Sequence, residues 1–108
     1  MFSTNEYFDG GVMSIAYESE TNPSSVGVMA PGSYKFGTQA KEKMTVITGA
    51  LEIKMPDANE SITYKAGESF DVGADSSFDV TVKTDTAYLC VYGWSIVNKT
   101  SPTFWYFF

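Results

Sequence analysis

The sequence predicts an all-β fold, a single antiparallel sandwich or barrel, on three observations. Apolar residues recur with a period of two: Phe78, Val80 and Val82 alternate with Asp79, Thr81 and Lys83, as in a strand with one buried face. Turn-forming residues punctuate the chain between short β-branched and aromatic runs. No window of helical length shows a 3.6-residue period. At 108 residues there is room for one core and not for two.

The elements follow in order. Residues 12–17 (VMSIAY) form the first run, after the turn Asp9-Gly10-Gly11. Residues 25–30 follow Asn22-Pro23, and residues 33–36 follow Pro31-Gly32. Residues 45–53 (TVITGALEI) are β-branched and apolar but interrupted at Gly49, which reads as two short strands joined by a tight turn or kink. Beyond Pro56-Asp57 come residues 61–65, then Ala66-Gly67, then residues 69–72. The alternating strand at 78–82 and a last run at 86–92 are separated by the polar residues 83–85. Eight or so strands at this spacing suit a sandwich or barrel.

Composition narrows the function. The chain is 44% hydrophobic and 16% aromatic, which describes a globular protein and not a disordered one. Its net charge is −6, and its basic residues are seven lysines with no arginine, which argues against a nucleic-acid partner. Histidine is absent, and with it the commonest metal ligand and the side chain that titrates near neutrality. A lone Cys90 rules out an internal disulfide. The polar N-terminus MFSTNEYFDGG is unlike a signal peptide, and no apolar run approaches the roughly 18 residues of a membrane span. A cytoplasmic protein with no membrane partner is expected, so the triplets Asn59-Glu-Ser and Asn98-Lys-Thr read as chance glycosylation matches. The end of the chain after Tyr92, GWSIVNKTSPTFWYFF, carries one charge, Lys99, and closes on five aromatics. Residues 1–92 are therefore expected to form the barrel. Residues 93–108 form an aromatic extension that packs on it or on a dimer partner, or else serves as a lid.

Residues 32–49 (GSYKFGTQAKEKMTVITG) hold the most informative pattern. Glu42 and Gly49 keep the interval between glutamate and closing glycine found in the first motif of cupins, the double-stranded β-helix or jelly-roll proteins. Counting back from Glu42 places Phe36 and Thr38 where that motif has two histidines. In AGESFDVGADSSF, Gly67 fits the start of the second motif, but Phe78 stands at the position of its histidine. The chain thus resembles a cupin with three of four metal positions unable to bind tightly. Thr38 and Glu42 offer two oxygens, a poor transition-metal site. No metal is expected.

Several peptides together, NEYFDGGVMSI, SVGVMAPGSYKFGT, EKMTVITGAL, MPD, YKAGESFDV, SSF and AYLCVY, resemble one small cupin family, the pyrimidine/purine nucleoside phosphorylases. The resemblance spans roughly residues 5 to 92 and departs from the family at Gly73, where members often carry proline, and in the aromatic tail. It implies a broad-specificity pentosyltransferase that needs no cofactor. A nucleoside and orthophosphate, the co-substrate, give a free purine or pyrimidine base and ribose 1-phosphate. It also implies a homodimer. A non-catalytic cupin that senses or stores a small molecule is the alternative, and phosphate dependence separates the two.

Alternation assigns candidate residues. Glu42, the expected catalytic residue, shares a face with Met44 and Val46. Tyr34, Phe36 and Thr38 share another, Phe78 and Val80 a third, and Tyr88, Cys90 and Tyr92 a fourth. Together they give an apolar, aromatic interior for a base and ribose, with Tyr34, Phe36, Thr38, Met44, Phe78 and Tyr88 as substrate-binding candidates. Each has a plainer role beside it: Glu42 as a structural carboxylate, the aromatics as barrel filling, Cys90 as a small buried hydrophobe. The phosphate ligands stay open between a backbone nest near Gly49 or Gly73 and a partner's lysine. Lys35 and Lys43 alternate outward into solvent.

Overall fold

The computed structural model describes residues 2–93. Ten strands are present among the described residues: β1 (Ser3–Tyr7), β2 (Val12–Glu18), β3 (Pro23–Met29), β4 (Gly32–Gly37), β5 (Lys41–Thr48), β6 (Ala50–Lys54), β7 (Ile62–Lys65), β8 (Ser69–Val72), β9 (Ser77–Val82) and β10 (Thr86–Gly93). They form a six-stranded sheet in the order β1-β2-β3-β10-β5-β8 and a four-stranded sheet in the order β4-β9-β6-β7. All pairs are antiparallel. Among the described residues no helix is long and apolar enough to cross a membrane.

The all-β reading is thus what the chain adopts, with three differences in detail. A first strand, β1, was not foreseen: its sequence STNEY is polar and mostly exposed, so nothing in its own pattern marks it. It exists by pairing with β2 at the sheet edge, Asn5 opposite Ser14 and Tyr7 opposite Val12. A short 3₁₀ turn, Phe8–Gly10, links the two. The strand expected from Thr45 begins instead at Lys41, because β10 supplies partners back to Gly93 opposite Lys41. The aromatic extension lies outside the described residues from residue 94 onward, and β10 runs through Gly93.

The interruption at Gly49 is a corner. β5 belongs to the large sheet and β6 to the small one, so this one residue carries the chain between layers, with φ +92°. A side chain there would strike Thr86 Oγ1 and approach the Asp85 carbonyl to 3.0 Å. Thr86 Oγ1 is already fixed: it accepts from the Ala50 amide at 3.2 Å and donates to backbone carbonyls, the Thr84 one at 2.9 Å. Gly49→Ala is expected to destabilise the fold by at least about 2 kcal/mol, from a strained φ and a clash with backbone that cannot move away. A lowered urea midpoint would show it; an unchanged midpoint would mean that the corner relaxes.

Between the sheets, inward residues close the core. The large sheet contributes Val12, Met29, Met44, Val46, Phe70, Val72, Tyr88, Cys90 and Tyr92, and the small one Tyr34, Phe36, Leu51, Ile53, Phe78, Val80 and Val82. A chain of rings runs across it, with centroid spacings typical of favourable tilted and edge contacts: Phe8–Tyr34 at 5.0 Å, Phe36–Phe78 at 5.7 Å, Phe78–Phe70 at 5.9 Å and Phe70–Tyr64 at 4.7 Å. Gly27 makes room for one more ring. A methyl on it would stand 2.5 Å from the Tyr88 hydroxyl, so the Tyr88 side chain lies directly over β3.

Candidate functional site

At one end of the large sheet, β5 starts, β10 and β8 finish, and the chain enters β3. Register brings these ends together: Tyr92 and Val72 stand on either side of Glu42, Val91 and Asp71 on either side of Lys43, and Gly93 beside Lys41. A cleft of about 540 Å³ opens there, lined by Asn22, Lys41, Glu42, Lys43, Asp71 and Gly73, with Val72, Val91 and Gly93 completing it. Ionisable and amide groups therefore crowd a space large enough for a small polar ligand.

Glu42 dominates its chemistry. The residue is 3% exposed, and neither carboxyl oxygen has a partner of good hydrogen-bond geometry, the Cys90 thiol being a weak donor beside it. Burial pushes its pKa up to about 8, and the Cys90 thiol pulls it back only in part. A carboxylate cannot be kept charged in such a place without a cation or donors, so the proton stays on. Near neutral pH Glu42 is a carboxylic acid on the inward face of β5, closed off from solvent, which is the form a general acid needs.

Its neighbours are also buried hydroxyls and a thiol. Burial raises the pKa of Tyr88 and Tyr92, and raises Cys90 well above the ordinary thiol value, so Cys90 is no nucleophile. The Tyr92 hydroxyl meets Ser25 Oγ at 3.0 Å. Tyr88 Oη and Ser14 Oγ are buried without partners of hydrogen-bond geometry.

Of the candidates drawn from alternation, Glu42 alone adjoins the cleft, with its carboxyl turned inward. All of them face inward, as alternation assigns, but they divide between two places. Met44 and Tyr88 are fully buried on the large sheet. Phe36 and Phe78 are cross-strand partners on the small sheet and sit in the ring chain. The Tyr34 hydroxyl donates to the Ala30 carbonyl at 2.5 Å, closing the loop before β4. Thr38 donates to the Gly73 carbonyl at 2.7 Å and accepts from the Ser76 amide at 3.0 Å, so it braces the loop that forms one edge of the cleft. Among the described residues no group of three or more His, Cys, Asp or Glu side chains stands together as a metal site. Lys35 points outward, as expected, near Asp79 at 3.9 Å on the surface. Lys43 also points outward, but into the cleft beside Lys41. Sequence reasoning passed over Lys41, Asn22 and Asp71 as site residues, because only register across four strands brings them near Glu42.

Comparison with known proteins gives this arrangement a context. A family model described as pyrimidine/purine nucleoside phosphorylase matches residues 2–92. A relative of that name from Alcanivorax borkumensis is 55% identical over 93 residues, covering 86% of this chain and 99% of its own. Among solved structures, a Vibrio parahaemolyticus protein of unknown function superposes with a TM-score of 0.84 at 50% identity, covering 86% of this chain and 99% of that one. A cupin superfamily protein from Desulfitobacterium hafniense, 16% identical with a TM-score of 0.65 over 86% of this chain and 84% of its own, shares the fold.

Proposed function

The chain belongs to the pyrimidine/purine nucleoside phosphorylase family, and we propose on that premise that it splits nucleosides with phosphate, using Glu42 as the acid. One phosphate oxygen attacks C1′ of the ribose while the C1′–N bond breaks. The bonding electron pair leaves with the base, which takes a proton at the departing nitrogen. The products are ribose 1-phosphate and a free purine or pyrimidine. Across the reaction the proton of the hydrogen phosphate replaces the one Glu42 gives up, so the enzyme returns to its starting state.

The observation that carries this reading is the neutral Glu42 carboxyl, held on the inward face of β5 in the largely aromatic interior between the sheets. Bond cleavage builds positive charge on the ribose ring, and the phosphate dianion supplies the opposing charge from within the site. The protein then has two tasks: holding the reactants in line, and giving the base its proton. Neither task fixes the identity of the base, which suits a broad substrate range.

Chelator-treated protein, incubated with uridine, adenosine or inosine, should release base only when phosphate is present. Ribose 1-phosphate should appear in equal amount. Release of no base from any nucleoside would overturn the enzyme reading and favour a barrel that merely binds a small molecule.

A further inference from the structure

We propose that residues 94–108 fold back and dock on the outer face of the large sheet, over β2, β3 and β10. That face is apolar where an antiparallel sheet open to water is ordinarily polar. Met13 stands opposite Val28 and Ile15 opposite Val26, and Ala87 and Leu89 of β10 continue the same two rows. Met13, Ile15, Val26 and Val28 are 53%, 47%, 39% and 50% exposed. On the other side of the same strands Val12, Ala16 and Met29 are buried in the core. β2 and β3 therefore carry apolar residues on both faces, the pattern of strands covered on both sides. Polar residues border the patch: Thr4 and Glu6 on β1, Lys43 and Thr45 on β5.

The segment after Gly93 has the chemistry to match. It carries Trp94, Ile96 and Val97 and ends in FWYFF, with Lys99 as its lone charge. The family match ends at residue 92, so this segment is added to the shared barrel. β10 leads into it and itself carries part of the patch. Leu89 and Ala87 lie four and six residues before Gly93, about 13 and 20 Å back along the strand. Residues 94–108 span up to about 50 Å when extended, enough for a reversal at the end of β10 and a return over both rows. The neighbouring cleft is also within reach, but Asn22, Lys41, Lys43 and Asp71 line it, a polar setting for an apolar segment. A second copy of the chain would compete for the same face. A tethered segment meets that face at an effective concentration on the order of millimolar, which a free partner in dilute solution does not match. Docking of this segment does not depend on whether the chain cleaves nucleosides.

Both tryptophans of the chain, Trp94 and Trp105, lie in this segment, so tryptophan fluorescence of the full chain reads it alone. The test measures emission and acrylamide quenching over a dilution series, with sedimentation velocity at the same concentrations. Wild-type emission should lie well to the blue of its position in denaturing urea, with several-fold weaker quenching, and neither should change on dilution. Ile15→Lys/Val28→Lys should shift emission to the red and raise quenching toward the unfolded value, and Ile15→Ser/Val28→Ser should do so in part. Ile62→Lys, at a similarly exposed apolar position on β7 of the other sheet, should change neither. Far-UV circular dichroism on the same samples separates undocking from unfolding. Unfolded-like emission in folded wild type, unchanged emission in both double variants, or an equal shift in Ile62→Lys would overturn the proposal. So would emission that reddens on dilution in step with dissociation of a dimer, which would put a second copy on this face.

Discussion

Glu42→Gln is expected to lower kcat for nucleoside cleavage by roughly 10²- to 10⁴-fold, the usual contribution of a positioned general acid. Glutamine keeps the shape and neutrality that Glu42 has near pH 7 but has no proton to give, so KM for phosphate should stay close to that of wild type. The pH profile is the sharper reading. With a carboxyl pKa of about 8, wild-type activity attributable to this acid should fall as pH rises through 8, and the variant should lack that limb. Steady-state kinetics between pH 6 and 9.5 on both proteins, run at saturating phosphate, would decide it. A variant with wild-type kcat and the same alkaline limb would make Glu42 a structural carboxyl, with the proton coming from elsewhere.

The same carboxyl ties stability to pH, with the opposite consequence for the variant. In the unfolded chain its pKa is 4.5, and folding raises it to about 8. Between these values the native state holds a proton that the unfolded state has released, so stability falls as pH rises. The stabilisation is fully present below about pH 4.5, declines through neutrality and is lost once pH passes 8. A shift of this size corresponds to roughly 3 to 5 kcal/mol. Urea melts of wild type should therefore lose stability from pH 5 to 9, with other carboxylates contributing their own slopes at the acid end. Glu42→Gln should flatten that decline and be more stable than wild type at pH 9, where the native carboxyl would be charged and buried. Parallel slopes in the two proteins would mean that water or a donor reaches Glu42 and holds its pKa near the ordinary value.

A substitution that removes activity while adding alkaline stability would mark Glu42 as a place where the fold bears a cost for its chemistry. An apolar core could have closed over this end of β5, where Met44 and Val46 follow on the same face. The chain instead buries a carboxyl with only the Cys90 thiol beside it as a weak donor. Tyr88 and Ser14 are similar cases on the same inner face, hydroxyls buried without hydrogen bonds of good geometry. None of these groups adds to stability by being polar.

Much of this was legible from the residues alone. Period-two alternation separates inside from outside on every strand with a mixed pattern, because successive side chains must point to opposite faces of a sheet. It placed Glu42, Met44, Phe36, Phe78 and Tyr88 inward, and they are buried. The missing histidines and the matching peptides pointed to the family, since a barrel of this size can hold only a few side chains at each level. What alternation could not mark was β1, whose polar residues owe their strand geometry to the neighbouring edge.

The sequence by itself determined the strand faces, the position of the chain break at Gly49 and the kinship that names the chemistry. Only the tertiary structure decided what the inward residues do. The hydroxyls of Tyr34 and Thr38 bind loop carbonyls, and which carbonyl lies within reach depends on how two sheets stack. The cleft depends on register: Asn22, Lys41, Asp71 and Gly73 belong to different strand ends, and a shift of one residue in any pairing would scatter them. Lys43 was correctly read as pointing away from the core, but away from the core proved to mean into a cleft. Local periodicity is set by the backbone of one strand; a site is set by the alignment of several.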